Sequence, residues 1–426
     1  MIIIHVVNNL ALPFPRYLTE SLRQALKTFP VVVVTGARQT GKSTLIRELL
    51  PGPARDYRTL DDLDVLERAG QEPDALVASK RSITIDEVQR SPQLILAIKR
   101  AVDRDRRPGR FLLSGSANLA LLGRVSETLA GRAVYLTLHP CTLAERAGLG
   151  RAGQWDAVLD DPAELEGVYP SFARPSQAVI DTGFPAAALL PTATARRAWL
   201  DGYVRTYLER DLQTLSAIEN LVDFRRLMRI AALRSGTLLN QSHLARDAGL
   251  AQPTAHRYLN LLEASYLLHR LPAYAVNRTK RLIKTPRLFF SDTGLAAHLA
   301  GVQTEADVVK AGLTGMLLET LVLSDLLAWR EGRAPKADVL YWRTASGAEV
   351  DVVVERAGKV VPMEVKASGR PRAADTQRLQ LFLMEYGNAA PHGILLHTGE
   401  RAEQLADRIW AVPLTAALGI SGKTAG

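Results

Sequence analysis

A chain of 426 residues, 47% of them hydrophobic, with a formal net charge of +9, is long enough for roughly two to four packed domains and too apolar for a disordered polyelectrolyte. One cysteine, Cys141, excludes an intrachain disulfide framework and suits a reducing, cytoplasmic setting. No run is apolar enough to span a bilayer, so no membrane partner is expected; a pI of about 9.7 permits a nucleic-acid partner without requiring one.

Met1 to Val7 is apolar but short, is broken by Asn8 and Asn9, and lacks a basic leader, so no signal peptide is expected. Pro30 and the run Val31 to Val34 predict a buried parallel strand. Gly36-Ala37-Arg38-Gln39-Thr40-Gly41-Lys42-Ser43 follows at once, a complete G-x-x-x-x-G-K-[ST] phosphate loop. Thr44 to Leu50 then predicts a helix with Leu45, Ile46, Leu49 and Leu50 on its apolar face. In that setting the two glycines let the backbone wrap a polyphosphate, and N–H groups from Gly36 to Thr44 point at its oxygens. Lys42 would reach the β- and γ-phosphates, and the Ser43 hydroxyl would hold Mg²⁺.

Ile83-Thr84-Ile85-Asp86-Glu87 predicts a short strand ending in two acids. Downstream of a phosphate loop, Asp86 is placed beside Mg²⁺, and Glu87 becomes the base that orients water. An adjacent Glu argues for hydrolysis over transfer; the bland alternative is a strand that ends in solvated acids. Phe111 to Leu113 predicts a further strand, with Ser114, and after it Ser116 and Asn118, as γ-phosphate sensors or as mere turn formers. Arg132, Arg205 and Arg210 are candidate arginine fingers acting in trans, which would require a homo-oligomer, ring or dimer.

The expected domains are a P-loop ATPase domain over 1–147, a loop-rich connector and helical segment over 148–230, a winged-helix domain over 231–300, a nuclease-like domain over 301–418, and a disordered tail over 419–426. In the third of these, Ser242 to Ala248 predicts a helix with Leu244, Ala245 and Ala248 inward. Gly249 supplies a turn, and Pro253 opens a second helix that keeps Ala255, Leu259 and Leu262 on one face. Its outer face offers Thr254, His256, Arg257 and Asn260 to DNA. Strand-like Tyr266 to Leu271 and Leu288 to Ser291 flank a basic wing with Arg278, Lys280, Arg281, Lys284 and Arg287. The alternative is an ATPase lid of the same fold that never touches DNA.

Further on, Gly315 to Trp329 predicts a helix carrying Glu319, and Val339 to Trp342, Glu349 to Val354 and Val360 to Lys366 predict strands. Period-two alternation puts Asp351 on the face of Glu349, and Glu364 on the face of Lys366. Asp351 and Glu364 would supply oxygen ligands to Mg²⁺, Lys366 would orient or deprotonate water, and Glu319 would complete the cluster, as in a metal-dependent phosphodiesterase. Glu-x-Lys on a solvated strand face is the common alternative.

Taken together, these motifs resemble a bacterial and archaeal family of AAA-type ATPases with a C-terminal domain of unknown function similar to a PD-(D/E)xK nuclease core. The resemblance runs through Phe29-Pro30, Thr59-Leu60-Asp61-Asp62, Ile85 to Arg90, Arg107 to Phe111, Gly115-Ser116, Leu129 to Arg132 and Gly183-Phe184-Pro185. It continues through Tyr207 to Asp211, Glu263 to Tyr266, Asp292-Thr293-Gly294, Gly347 to Asp351 and Glu364-Val365-Lys366. It implies an α/β architecture, ATP rather than GTP, and a cytoplasmic protein. The resulting expectation is an ATP-hydrolysing protein acting on DNA, branched or damaged DNA included, with a Mg²⁺-dependent nuclease domain. The competing expectations are an ATP-switched DNA-binding or regulatory scaffold with an inert nuclease-like domain, and a protein-remodelling ATPase.

Overall fold

The computed structural model describes residues 14–50, 55–115, 129–206, 218 and 220–423. Ser116, Asn118, Arg210 and the N-terminal apolar run lie outside them.

Strands β1 (Val31–Thr35), β2 (Asp56–Thr59), β3 (Ile83–Asp86), β4 (Phe111–Ser114) and β5 (Ala133–Thr137) form a parallel sheet in the order β2-β3-β4-β1-β5. A strand of four consecutive valines needs cover on both faces. Val31 and Val33 pack toward the Pro92–Arg104 helix and its neighbours, and Val32 and Val34 pack toward Leu18, Leu22, Leu45 and Ile46. The order places β4 between the phosphate-loop strand and the strand of Asp86, so all three strand ends meet at one edge. The helix after the loop opens at Lys42–Thr44 and continues as a π-helical turn over Leu45–Leu49.

The stretch expected as a loop-rich connector proves to be docked on the C-terminal part of the chain. It contains the Trp155–Asp160 helix and β6 (Gly167–Val168), which pairs with Arg401 and Ala402. Tyr169 N–H donates to Glu400 O at 2.8 Å, and Phe172 N–H to Thr398 O at 2.9 Å. Trp155, Val158, Leu165 and Tyr169 are buried; scattered among Gly, Pro and Asp, they show no period. The tail expected to be disordered over 419–426 is ordered at its start. The Gly419 carbonyl accepts from Arg151 at 2.6 and 2.9 Å, and Ile420 N–H bonds Thr415 O at 3.2 Å.

Next come a helix (Leu221–Leu233), β7 (Thr237–Leu238), two helices (Gln241–Ala248 and Gln252–Ala264), β8 (Leu268–Leu271), a short helix (Arg278–Ile283) where the basic wing was expected, and β9 (Arg287–Phe290). The strands form an antiparallel sheet ordered β7-β9-β8. Asn240 caps the second helix through His243 N–H at 3.0 Å, and Gly249 closes it at φ 66°. Ala255, Leu259 and Leu262 are buried, with Tyr258 beside them.

The long helix Thr314–Glu331 precedes β10 (Asp338–Arg343), β11 (Glu349–Arg356), β12 (Lys359–Lys366), β13 (Gly393–His397), β14 (Arg401–Ala406) and β15 (Ile409–Pro413). Their mixed sheet runs β10-β11-β12-β13-β15-β14-β6, with β10 to β12 antiparallel and β12, β13 and β15 parallel. Among the described residues no helix is long and apolar enough to cross a membrane.

Within the long helix, Asp325 is buried; its Oδ1 accepts from Gly153 N–H and Trp155 Nε1, both at 2.7 Å. Among the described residues its Oδ2 has no partner, and burial pushes the carboxyl up to about 7. An acid raised in the folded state binds more protons there than when unfolded, so its contribution to stability is lost as pH rises toward 7. Asp325→Asn keeps the Oδ1 acceptor and removes the buried charge. Its melting temperature relative to wild type should rise between pH 4 and 7 and level off above; a constant difference across that range would refute the assignment.

Candidate functional site

The phosphate loop joins β1 to the helix at Lys42, and its backbone demands its glycines. Gly36 has φ 138°, and a Cβ there would stand 2.3 Å from Leu138 O. Gly41, at φ 91°, is the left-handed residue before the helix. Lys42 is buried, and its Nζ donates to Ala37 O at 2.9 Å and to Gly36 O at 3.2 Å. Burial draws its ammonium down to about 8, opposed by the Glu87 and Asp86 carboxylates. Thr40 Oγ1 bonds Ala37 O at 2.8 Å, while Arg38, Gln39 and Ser43 face solvent and Thr44 is half-buried.

Asp86 ends β3 opposite this loop. Its Oδ2 accepts from Tyr57 Oη at 3.0 Å, and its Oδ1 from Glu87 N–H at 3.0 Å and from the Ser114 hydroxyl. Ser114 is level with Val34 in the ladder, so it lies between the loop strand and the acid. Glu87 holds φ 55°, a conformation rare outside glycine and common at functional positions. Burial raises its carboxyl; Lys42 opposes the rise and Asp86 adds to it. A strand-end carboxylate held by two hydroxyls is the hard oxygen donor that a cation such as Mg²⁺ takes, and Ser43 of the loop would be its partner donor.

Arg16, Tyr57 and Tyr203 join the site without any sequence motif of their own. Arg16 is buried; its Nη1 donates to Thr40 O and its Nη2 to His139 O, each at 2.6 Å, and its Nε lies 3.2 Å from Glu145 Oε1. It therefore ties the loop to the segment after β5. Tyr203 Oη reaches Arg38 O at 3.2 Å. None of the three carries a local motif, and only their distance from the loop in space reveals them.

Arg132 is level with Pro30, at the far end of the sheet from the loop, and grips Asp103 through two bonds of 2.6 and 3.0 Å. Within one chain it does not reach the nucleotide edge. Arg205 is exposed just after Tyr203.

Of the expected DNA-facing residues, His256, Arg257, Asn260, Arg278 and Lys280 are exposed, and Thr254 is half-buried. His256 bridges Gln241 and Asn260 at 3.0 Å each, and Arg270 donates to Asn260 Oδ1 at 2.7 Å. Arg281 is corrected: it is buried, with its guanidinium on Glu355 and stacked over the Tyr274 ring at 4.8 Å.

The C-terminal acids do converge. The long helix brings Glu319, β11 brings Glu349 and Asp351, and the β11–β12 register, with Val352 opposite Met363, brings Asp351 to Glu364. Lys366 Nζ donates to Glu364 Oε2 at 2.9 Å, and Asp351 Oδ2 accepts from Val365 N–H at 2.9 Å. Burial first, and then the Asp351 carboxylate, push Glu319 and Glu364 upward. In this state they are not arranged as a metal centre. Among the described residues no group of three or more His, Cys, Asp or Glu is arranged to hold a metal ion. A guanidinium takes that place: Arg287 pairs with Glu319, with Glu349 Oε1 at 3.3 Å and with Asp351 Oδ1 at 3.7 Å.

Comparison with known proteins matches residues 28–147 to an AAA domain, residues 175–306 to a domain of unknown function (DUF8612), and residues 314–417 to a domain of unknown function (DUF4143). The uncharacterized protein Rv2008c of Mycobacterium tuberculosis (strain ATCC 25618 / H37Rv) is 33% identical over 408 residues, 92% of this chain and 82% of that one. An uncharacterized protein of Haemophilus influenzae is 21% identical over 66% of this chain and 72% of its own. Among solved structures, the Walker-type ATPase PABY2304 of Pyrococcus abyssi is similar with a TM-score of 0.40 at 16% identity, over 69% of this chain and 99% of that one. CDC6P from Pyrobaculum aerophilum is similar with a TM-score of 0.27 at 14% identity, over 72% and 93%. The chain belongs to the family of the mycobacterial protein Rv2008c, and its N-terminal domain is an AAA-type P-loop ATPase domain.

Proposed function

We propose that the chain binds and hydrolyses ATP and uses its middle domain to contact DNA. The observation that carries the first half is the convergence of Lys42, Asp86, Glu87 and Ser114 on one sheet edge. In this reading the loop from Gly36 to Thr44 cradles the phosphates, and Lys42 exchanges its loop carbonyls for phosphate oxygens. Ser43 and Asp86 would hold Mg²⁺, which when bound neutralises phosphate charge. Glu87, its carboxyl raised by burial, is the better proton acceptor for that shift and positions the attacking water. Ser114, already bonded to Asp86, senses the terminal phosphate. A finger such as Arg132 would come from a second copy, in a ring or dimer.

Lys42→Ala should weaken ATP binding at least about tenfold by removing the main facing charge, and Glu87→Gln should leave binding within about threefold while lowering turnover about 100-fold or more. Fluorescent-nucleotide titration and phosphate release measure the two effects. Turnover by Glu87→Gln at the wild-type rate would remove Glu87 from the base role.

The second half rests on the helix–strand–helix–helix–strand–helix–strand order of Leu221 to Phe290, which we read as a winged helix with a short helix in its wing, and on the exposed cations Arg257, Arg278 and Lys280. Arg278→Glu with Lys280→Glu should lower duplex affinity and flatten its salt dependence by about one slope unit per lost phosphate contact. Identical binding curves across a salt series would favour the lid reading. For the C-terminal domain, the pairing of Arg287 with the acids supports a nuclease-like cluster that is held inert in this state.

A further inference from the structure

The acid cluster lies at the seam between two sheets, and the cation in it comes from the other side. Arg287 opens β9 in the three-stranded sheet, whereas Glu319, Glu349, Asp351 and Glu364 belong to the C-terminal domain. Only 4% of Arg287 is exposed. Its Nε donates to Gly236 O at 2.7 Å, its Nη1 to Asp351 O at 3.2 Å and its Nη2 to Glu319. The guanidinium thus spends its fork of donors on one carbonyl of its own module and on the Asp351 carbonyl and Glu319 carboxylate of the next, with the Glu349 and Asp351 carboxylates as further ion-pair partners, a geometry lysine cannot copy. Gly236 permits it: φ is 77°, and a Cβ there would press on Met316 Cγ at 3.1 Å and stand 3.7 Å from Arg287 Nη2.

Behind the guanidinium the cluster keeps unused capacity. Glu364 is wholly buried, and among the described residues its Oε1 has no hydrogen-bond partner, although Lys366 holds Oε2. Two carboxylates of this group, Glu364 and Asp351, stand on facing strands. Arg287 covers the Asp351 side, so a cation approaching both must displace it. Acids that gather around a buried cation are costly to separate from it, because each would be left uncompensated.

We propose that Arg287 is an autoinhibitory cation that keeps divalent metal out of the acid cluster for as long as β9 is docked against the C-terminal sheet. This rests on the reading of the cluster as nuclease-like but not on the proposed ATP chemistry, and it makes the docking of the middle domain the condition on which metal entry depends.

The test is Mn²⁺ binding by the nucleotide-free full chain, followed by the loss of the free-ion electron paramagnetic resonance signal. Wild type and Arg287→Lys should bind Mn²⁺ weakly. Arg287→Gln should gain a site at least about tenfold tighter, and Arg287→Gln with Asp351→Asn should lose it again. A wild-type circular dichroism spectrum and a single cooperative thermal transition well above the assay temperature certify the fold of each variant. A folded Arg287→Gln without the gain, or a gain that survives Asp351→Asn, overturns the proposal. A measurement on wild type alone guards against a variant that fails to fold. Backbone hydrogen exchange in β11 and β12 should not change on adding Mn²⁺, and metal-dependent protection around Asp351 and Glu364 would overturn the proposal as well.

Discussion

The helix Thr314–Glu331 is buried on every face, and the rest of the chain is arranged to satisfy it. Leu317, Leu318, Leu321, Val322, Leu323, Leu326, Leu327 and Trp329 are all buried, with no solvent stripe. A helix hydrophobic all round cannot lie on a surface. One face meets the Pro175–Ile180 and Thr293–Leu299 helices, one meets β12, and one meets β5 and the Leu18–Thr28 helix of the ATPase domain. Polar groups on the helix are spent on the same neighbours: Asp325 on Gly153 and Trp155, and Glu331 on Thr137 N–H at 3.1 Å. Each fully buried Leu is worth about 1.5–3 kcal/mol, so a movement that strips one face has a large cost, whereas one that slides along it does not.

This gives the nucleotide edge a mechanical connection. Glu331, at the helix end, holds the last residue of β5, and Arg16 holds both Thr40 of the phosphate loop and His139 just after β5. These buried bonds join the loop to the base of the long helix, whose first half presents Glu319 to Arg287. The path consists of discrete buried contacts, the type of element able to carry coupling between sites.

The parts of this structure that were legible in the sequence are those with a local signature. The valine run, the glycines of the loop, the strand of Asp86 and Glu87, the paired helices around Gly249, and the alternation at Asp351 and Glu364 each announce themselves within a few residues. What escaped needs partners far away in the chain. Nothing near Phe111 says that its strand enters between β1 and β3, which is what places Ser114 against Asp86. Arg16 stands in no motif. Arg281 and Arg287 look like Arg278 in a basic stretch, yet both turn inward because acids from β11 and the long helix wait there. Trp155 and Tyr169 were hidden by the Gly, Pro and Asp around them, since burial without periodicity leaves no pattern to read.

The six C-terminal strands β10 to β15 do not own their edges. At one end β10 is covered through a parallel bridge between Tyr341 and Ala273, reinforced by Tyr341 N–H to Pro272 O at 3.0 Å. At the other end β14 is covered by β6, two residues contributed from more than two hundred positions upstream. Unpaired strand edges are templates for adding further strands. A fragment cut at the start of the long helix would bare both edges together, and would be prone to join other copies of itself before any question of catalysis arose. The upstream segments thus act as permanent edge guards for the C-terminal sheet.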